Sequence, residues 1–172
     1  MTDIVLREPL KVIADIISSE MSLNPTRVII YNEKINIPPD DGLWIVIGLL
    51  SVKTISIKSE LIDDGAGGAN EEQSASIEQI IQIDIMSSSA AARIRQFEVL
   101  MALNSIYAQQ QCELYNMKIA RIPTAMNDTS SVENTKILNR YSITIIINAV
   151  YNKTKTNEFY DTLQEPNISI NI

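Results

Sequence analysis

Few side chains in this sequence could carry chemistry. Histidine is absent, which removes the usual general base near neutral pH and the commonest protein metal ligand. The single cysteine, Cys112, has no ordinary partner to activate it as a nucleophile and lies among apolar residues. We interpret it as a structural thiol, and a lone cysteine also excludes an internal disulfide.

An acidic, glycine-rich stretch at residues 63–72 holds the densest group of carboxylates. Its Gly65-Ala66-Gly67-Gly68 run is not followed by Lys and Ser or Thr, so it is not a phosphate-binding loop. It also lacks the oxygen spacing of an EF-hand calcium loop. We therefore expect a solvated loop, with no metal, no cofactor and no catalytic residue, that carries four exposed acids: Asp63, Asp64, Glu71 and Glu72.

Length and composition fit one domain with a real core. The chain has 172 residues, of which 45% are hydrophobic, and isoleucine is frequent, which favours strands. The net charge of −7 argues against non-specific affinity for nucleic acid. No run of 18 apolar residues predicts a membrane span, and residues 1–9 lack the order of a signal peptide, so we expect synthesis in a cytosol.

Residues 88–116 form the longest run of helical spacing without Gly or Pro, and we predict one continuous helix there. One apolar face is expected to lie on the main sheet, formed by Val99, Leu100, Leu103, Ile106, Tyr107 and Leu114. A second, narrower stripe lies opposite, formed by Ile94, Phe97, Met101, Ala108 and Cys112. Two apolar faces imply two neighbours, so either the N-terminal helix or another subunit covers the second stripe.

A long β-hairpin is predicted from residues 43–62 and 75–86. The apolar phase changes near Lys53-Thr54, which predicts a bulge or a sharp twist. Residues 43–59 would extend about 56 Å if straight. A domain of this size has a radius of gyration of only about 16 Å. We therefore predict that the distal part of the hairpin, about residues 53–77, projects from the body.

The remaining pattern predicts an α+β domain. A helix is expected over residues 4–21 with a regular start near Glu8, and further strands over 27–31, 117–123 and 141–151, separated by polar loops at 32–42 and 124–140. We expect a mixed, mostly antiparallel sheet of four to five strands with two helices packed on it. The domain is expected to span residues 1–155. The C-terminal extension, 156–172, ends in a strictly alternating run that could join its own sheet edge or a neighbour's.

Several segments resemble the neck and tail terminator family of tailed bacteriophages. The similarity begins at Arg27-Val28-Ile29-Ile30-Tyr31-Asn32-Glu33-Lys34 and continues through Ile83-Asp84-Ile85-Met86-Ser87 and Ile119-Ala120-Arg121-Ile122-Pro123-Thr124. Its most specific part is residues 98–111, and it covers most of residues 5–155. These motifs are structural rather than catalytic.

The resemblance implies a virion protein that assembles in the host cytoplasm into a ring, typically a hexamer, at the head–tail junction. Such a ring caps the tail tube and joins it to the head-side connector, with the sheath as a further candidate partner, while DNA passes through its lumen without sequence-specific binding. The hypothesis places subunit joints at Ile94, Phe97, Met101, Cys112, Ile168 and Ile170. The four acids of residues 63–72 would line the lumen or face partner proteins.

Two alternatives stay open at this point. A head-side connector or collar ring of the same neck, often a dodecamer, would share the self-assembling surfaces. A host ligand-binding or enzyme module would need a deep pocket with convergent polar groups, which the lack of histidine disfavours.

Overall fold

The structure, a computed structural model, describes residues 8–31, 40–63, 69–133 and 136–156. Its elements, in chain order, are α1 (Pro9–Glu20), a 3-10 turn (Pro25–Arg27), β1 (Val28–Ile30), β2 (Trp44–Asp63), β3 (Ala69–Ser87), α2 (Ala91–Leu103), α3 (Ile106–Leu114), β4 (Met117–Arg121), β5 (Asn127–Asp128), β6 (Ser131–Glu133) and β7 (Lys136–Thr156). The predicted α+β class is confirmed. The described residues form three helices rather than the predicted two, because two helices, α2 and α3, replace the predicted central helix.

The sheet has the strand order β1-β2-β3-β7-β4, with the short strands β5 and β6 also paired to β7. Only β1 and β2 run parallel, and every other pair is antiparallel. The predicted mixed, mostly antiparallel sheet is therefore confirmed. The two longest neighbours of β3 pair with it over almost its whole length.

Every second side chain along the central strands points to the helix side of the sheet, and these side chains form the core. Ile47, Ile83 and Ile143 lie opposite one another in consecutive strands and are buried. On the same face Ile45, Ile81, Ile85, Tyr141 and Ile145 are also buried, and Leu49 is half-buried. Residues from all three helices belong to the same buried cluster, so the helices cover this one face of the sheet. The opposite face is called the helix-free face below.

Helix α1 begins and ends where local chemistry requires. Pro9 occupies the first helical turn, where its missing N–H costs nothing, and Glu8 precedes it in an extended conformation. At the other end Ser22 has a positive φ of 51°, and the Leu23 N–H donates to the Ser18 carbonyl at 2.9 Å. This is a Schellman ending. The predicted start near Glu8 is confirmed.

The prediction of one helix over residues 88–116 is wrong. Ser105 adopts an extended conformation, and its hydroxyl caps α3 by accepting a hydrogen bond from the Ala108 N–H at 3.0 Å. The Asn104 side chain donates to the Leu100 carbonyl at 2.8 Å and so closes α2. Asn and Ser compete for backbone hydrogen bonds in this way, which makes them helix-ending residues.

The projecting hairpin is a three-stranded arm. We use arm for residues 51–63, 69–77 and 150–156. Every described side chain from residue 51 to residue 62 is exposed, and β2 changes register between Leu49 and Ser51 and again between Thr54 and Ser56. The second shift lies where the sequence predicts a bulge. The first has no counterpart in that prediction.

Strand β7 is longer than the sequence predicts at both ends. It begins at Lys136 rather than Tyr141 and ends at Thr156 rather than Tyr151. Its last residues form the third strand of the arm by pairing with β3, as far as Thr156 opposite Asn70. Part of the predicted loop at 124–140 is therefore strand, and so are residues 152–156, which the sequence leaves outside the predicted strand 141–151. Polar residues join a sheet when a neighbouring strand offers backbone partners.

Two ion pairs lie on or beside the helix-free face. The Arg27 guanidinium bonds both oxygens of Asp40, at 2.7 and 2.5 Å, and its centre lies 4.1 Å from the Trp44 ring centroid. Hydrogen bonds from Arg27 and from the Gly42 N–H lower the pKa of Asp40 to about 2. This pair fastens the start of β2 to the turn before β1.

Asp84 is the buried member of the second pair. Burial raises its pKa, but hydrogen bonds from Arg140, Ser142 and Gln82 outweigh burial, so its pKa lies below the ordinary value. The Arg140 contact measures 2.7 Å. Because its charge is compensated by donors from β3 and β7, the carboxylate is tolerated at the centre of the sheet.

We expect Gly42→Ala to lower the free energy of unfolding, and to do so by more than Gly48→Ala does. An added Cβ would lie 2.3 Å from Arg27 Nη1 and 2.8 Å from Asp40 Oδ1, which forces the ion pair apart. The matched control is Gly48→Ala, whose Cβ meets only Tyr31 Cβ at 3.7 Å. Urea unfolding of both variants is the measurement. Equal stability of the two would contradict the role given to the Arg27–Asp40 pair.

Candidate subunit interfaces

Helix α2 is apolar on two faces. Its inner face buries Ala92, Val99, Ala102 and Leu103. Its outer face carries Ile94, Phe97 and Met101, spaced by three and four residues so that they share one stripe, and their exposures are 71%, 57% and 64%. We call these three residues the α2 stripe. Helix α1 packs against α2 and α3 but leaves the α2 stripe uncovered.

Cys112 is separated from the α2 stripe by the break at Ser105. It is 7% exposed and belongs to the core of its own subunit. Burial raises the pKa of its thiol, in keeping with a structural role. The sequence grouped Cys112 with the stripe because it assumed one unbroken helix, and the structure does not bring these residues together.

The same break exposes two residues that the sequence assigned to the core. Ile106 and Leu114 lie on the outer side of α3, whereas Ala108 and Cys112 take the inner side. Sequence reasoning therefore missed two exposed apolar residues beside the predicted interface. The signal that could have found them is Asn104-Ser105, a pair of good capping residues inside an apolar helical pattern.

A cleft beside helix α3 offers no catalytic constellation. It has a volume of about 440 Å³ and lies between the end of α2, helix α3 and strand β4. Glu113 and Lys118 are its only charged lining residues, and its floor includes Leu103, Ala108, Cys112, Met117, Ile119 and Ile122. Among the described residues, no group of three or more His, Cys, Asp or Glu side chains could hold a metal ion.

The four predicted loop acids do not share one flexible loop. Asp63 is the last residue of β2, while Glu71 and Glu72 lie within β3. Asp64 falls outside the described residues. Because Glu71 and Glu72 are consecutive in a strand, they point to opposite faces of the arm. The glycine run indicated a loop, so the start of β3 at Ala69 was not predicted. Pairing with β2 and β7 makes these residues a strand.

Glu71 and Glu72 have different surroundings. Glu71 accepts hydrogen bonds from the Ser59 hydroxyl and from Gln73, at 2.9 Å for the latter, and these bonds lower its pKa. Glu72 is exposed on the helix-free face and lies directly opposite Glu60 on β2. Two like charges in one cross-strand pair make this the clearest anionic point on that side of the arm.

Strand β2 presents a second apolar surface at the edge of the sheet. Strand β1 pairs only with Ile45–Ile47, and no other described strand pairs with this side of β2. From residue 50 to residue 62 it carries six exposed large apolar side chains: Leu50, Val52, Ile55, Ile57, Leu61 and Ile62. The predicted interface residues Ile168 and Ile170 lie outside the described residues.

Comparison with known proteins adds one match. A family model described as phage neck terminator protein matches residues 10–172, which include the predicted C-terminal extension. No curated protein matches the chain. No helix among the described residues has the length and apolar character needed to cross a membrane.

We expect the Cys112 thiol to react slowly with a disulfide reagent in the folded protein, and to do so whether or not subunits are associated. Its own subunit buries it, so dissociation does not uncover it. The measurement is the thiol reaction rate in wild type, in Met101→Glu, which we expect to weaken any contact made by the α2 stripe, and in urea. A rate that rises on dissociation without unfolding would show instead that Cys112 lies in a joint.

Proposed function

Since the chain belongs to the phage neck terminator family, we propose that its copies close into a ring, a hexamer, that caps the tail tube. Membership makes it a structural protein of the virion neck. The ring would join the tail to the head-side connector and let DNA pass through its lumen. Tail tube protein and head-side neck proteins are the proposed partners, with the sheath as a further one, and we propose no catalytic activity.

The observation that carries this proposal is the exposed α2 stripe. A helix that packs on a sheet needs one apolar face, yet α2 has a full inner face and three large apolar residues outside. Contact with another copy would remove the outer residues from water. Ring closure requires heterologous contacts, in which the α2 stripe meets a different surface on the next copy.

We expect Met101→Glu to abolish ring formation while leaving a folded subunit. The substitution places a charge at the end of the α2 stripe, where a joint would bury it without a partner, and we expect a loss of about 2 kcal/mol or more per joint. Size exclusion and native mass spectrometry measure the assembly, and circular dichroism the fold.

The control for Met101→Glu is Ser19→Glu, which adds the same charge at an exposed position of α1. That variant should assemble like wild type. Rings formed by Met101→Glu at wild-type concentrations would count against the α2 stripe as a joint. Electron microscopy of the wild-type assembly would count subunits, and a dodecamer would favour a collar ring instead.

We further infer that the helix-free face of the arm borders the lumen. This face carries Glu60 and Glu72 opposite each other, with Lys58 beside them, and a surface with excess negative charge repels the phosphates of passing DNA rather than retaining them. On the inner part of the sheet the three helices cover the opposite face, so the helix-free face is the one without a described helix along the whole sheet.

Reversal of both charges in Glu60→Lys/Glu72→Lys should make assembled rings bind duplex DNA, whereas wild-type rings should bind little. Because phosphate contacts release counterions, the gained binding should weaken as salt rises. A gel mobility shift at several salt concentrations measures this. The control, Glu8→Lys/Glu20→Lys on α1, changes the charge equally on the helix side. Equal DNA binding by the control would contradict the placement of the lumen.

A further inference from the structure

The outer half of β2 is a sheet edge without a described partner. Among the described strands, none pairs with residues 56–62 on the side away from β3, and the side chains of these residues are exposed. Long apolar edge strands favour pairing with another chain, and folded proteins normally cover or blunt them.

The helix side of this edge carries Ile57, Ser59 and Leu61, of which two are large and apolar. Ile57 lies opposite Ala75, which in turn lies opposite Tyr151, so the three form one row on the helix side of the arm. Leu61 shares that side, and Ile57 is 75% exposed. The other side carries Ser56, Lys58 and Glu60 beside the exposed Ile62. An added strand would match this edge if it were apolar on the helix side and polar on the other.

The end of the chain has that pattern. Asn167-Ile168-Ser169-Ile170-Asn171-Ile172 places three isoleucines on one side of a strand and polar residues on the other. We propose that residues 167–172 of one copy pair with residues 56–62 of β2 in the next copy. Backbone hydrogen bonds would supply affinity, and the isoleucines would extend the row of Ile57, Ala75 and Tyr151.

The C-terminal segment leaves the arm at its β7 edge, and the edge without a described partner belongs to β2, so exchange between copies can join one arm to the next. Strand β7 ends at Thr156, opposite Asn70, while the free edge belongs to β2 on the far side of β3. Within one copy the C-terminal segment would have to cross all three strands. Between copies, each subunit would donate the segment that follows its β7 and would accept a neighbour's segment at the edge of its β2. This is the head-to-tail relation of a closed ring. Ten residues separate Thr156 from Asn167 and span up to about 35 Å.

This inference rests on the proposed ring, and disulfide trapping tests it. In a Cys112→Ser background, one protein carries Lys58→Cys and a second, isotopically heavier protein carries Ser169→Cys. Both substituted side chains belong to the polar side. After the proteins are mixed, assembled and mildly oxidised, we expect covalent light–heavy dimers by mass spectrometry. Deletion of residues 167–172 should leave a folded subunit and weaken the ring.

Each outcome separates this inference from the proposed function. Lys11→Cys, an exposed site on α1, replaces Lys58→Cys in the control and should give no dimers with Ser169→Cys. Rings that form normally without light–heavy dimers, at Lys58→Cys and again at Glu60→Cys, would overturn the strand exchange alone. In a protein that carries both Lys58→Cys and Ser169→Cys, a disulfide that forms only within single chains would also overturn the strand exchange. Failure of the wild-type protein to form rings would reject the proposed function first.

Discussion

Strand β3 is hydrogen-bonded on both sides over nearly all of its length. Its partners β2 and β7 follow it from the core, where Ile83 is fully buried, to the outer arm, where Asn70 lies opposite Ile62 and Thr156. Breaking away from β3 would leave backbone groups of either neighbour without partners, which is costly unless water replaces them. The three strands therefore leave the core together.

This constraint also explains why the arm is not covered. The helices are short and lie over the inner part of the sheet, where three rows of isoleucines need covering. Beyond Leu49, Ile77 and Tyr151 no residue of the three central strands contributes to the buried cluster. The arm keeps its shape through pairing rather than burial, and its apolar side chains remain available to other molecules. A protein whose role is to join others needs such surfaces.

The two ion pairs on or beside the helix-free face hold neighbouring parts of the fold together. Arg27 and Asp40 fasten a turn, while Asp84, Arg140 and Ser142 join two strands across the helix-free face. Each of these carboxylates has a lowered pKa because it accepts hydrogen bonds, so each stays ionised near neutral pH. A carboxylate that stays ionised can keep a stable ion pair, but it is poorly suited to transfer protons near neutral pH. This agrees with the structural role of the family.

Local patterns in the sequence determined the α+β class, the buried faces of β2, β3 and β7, and the start of α1, because side-chain periods of 2 and 3.6 need no knowledge of distant partners. Three features were decided only in the folded chain. The helix breaks at Ser105 because its hydroxyl caps α3 there, and this moves Cys112 inward and Ile106 outward. Residues 152–156 carry no apolar period and are strand only because β3 offers them backbone partners. The position of β2 at the edge, among the described strands, follows from the order of strands in the sheet. That order depends on pairing between distant segments, so no local pattern contains it.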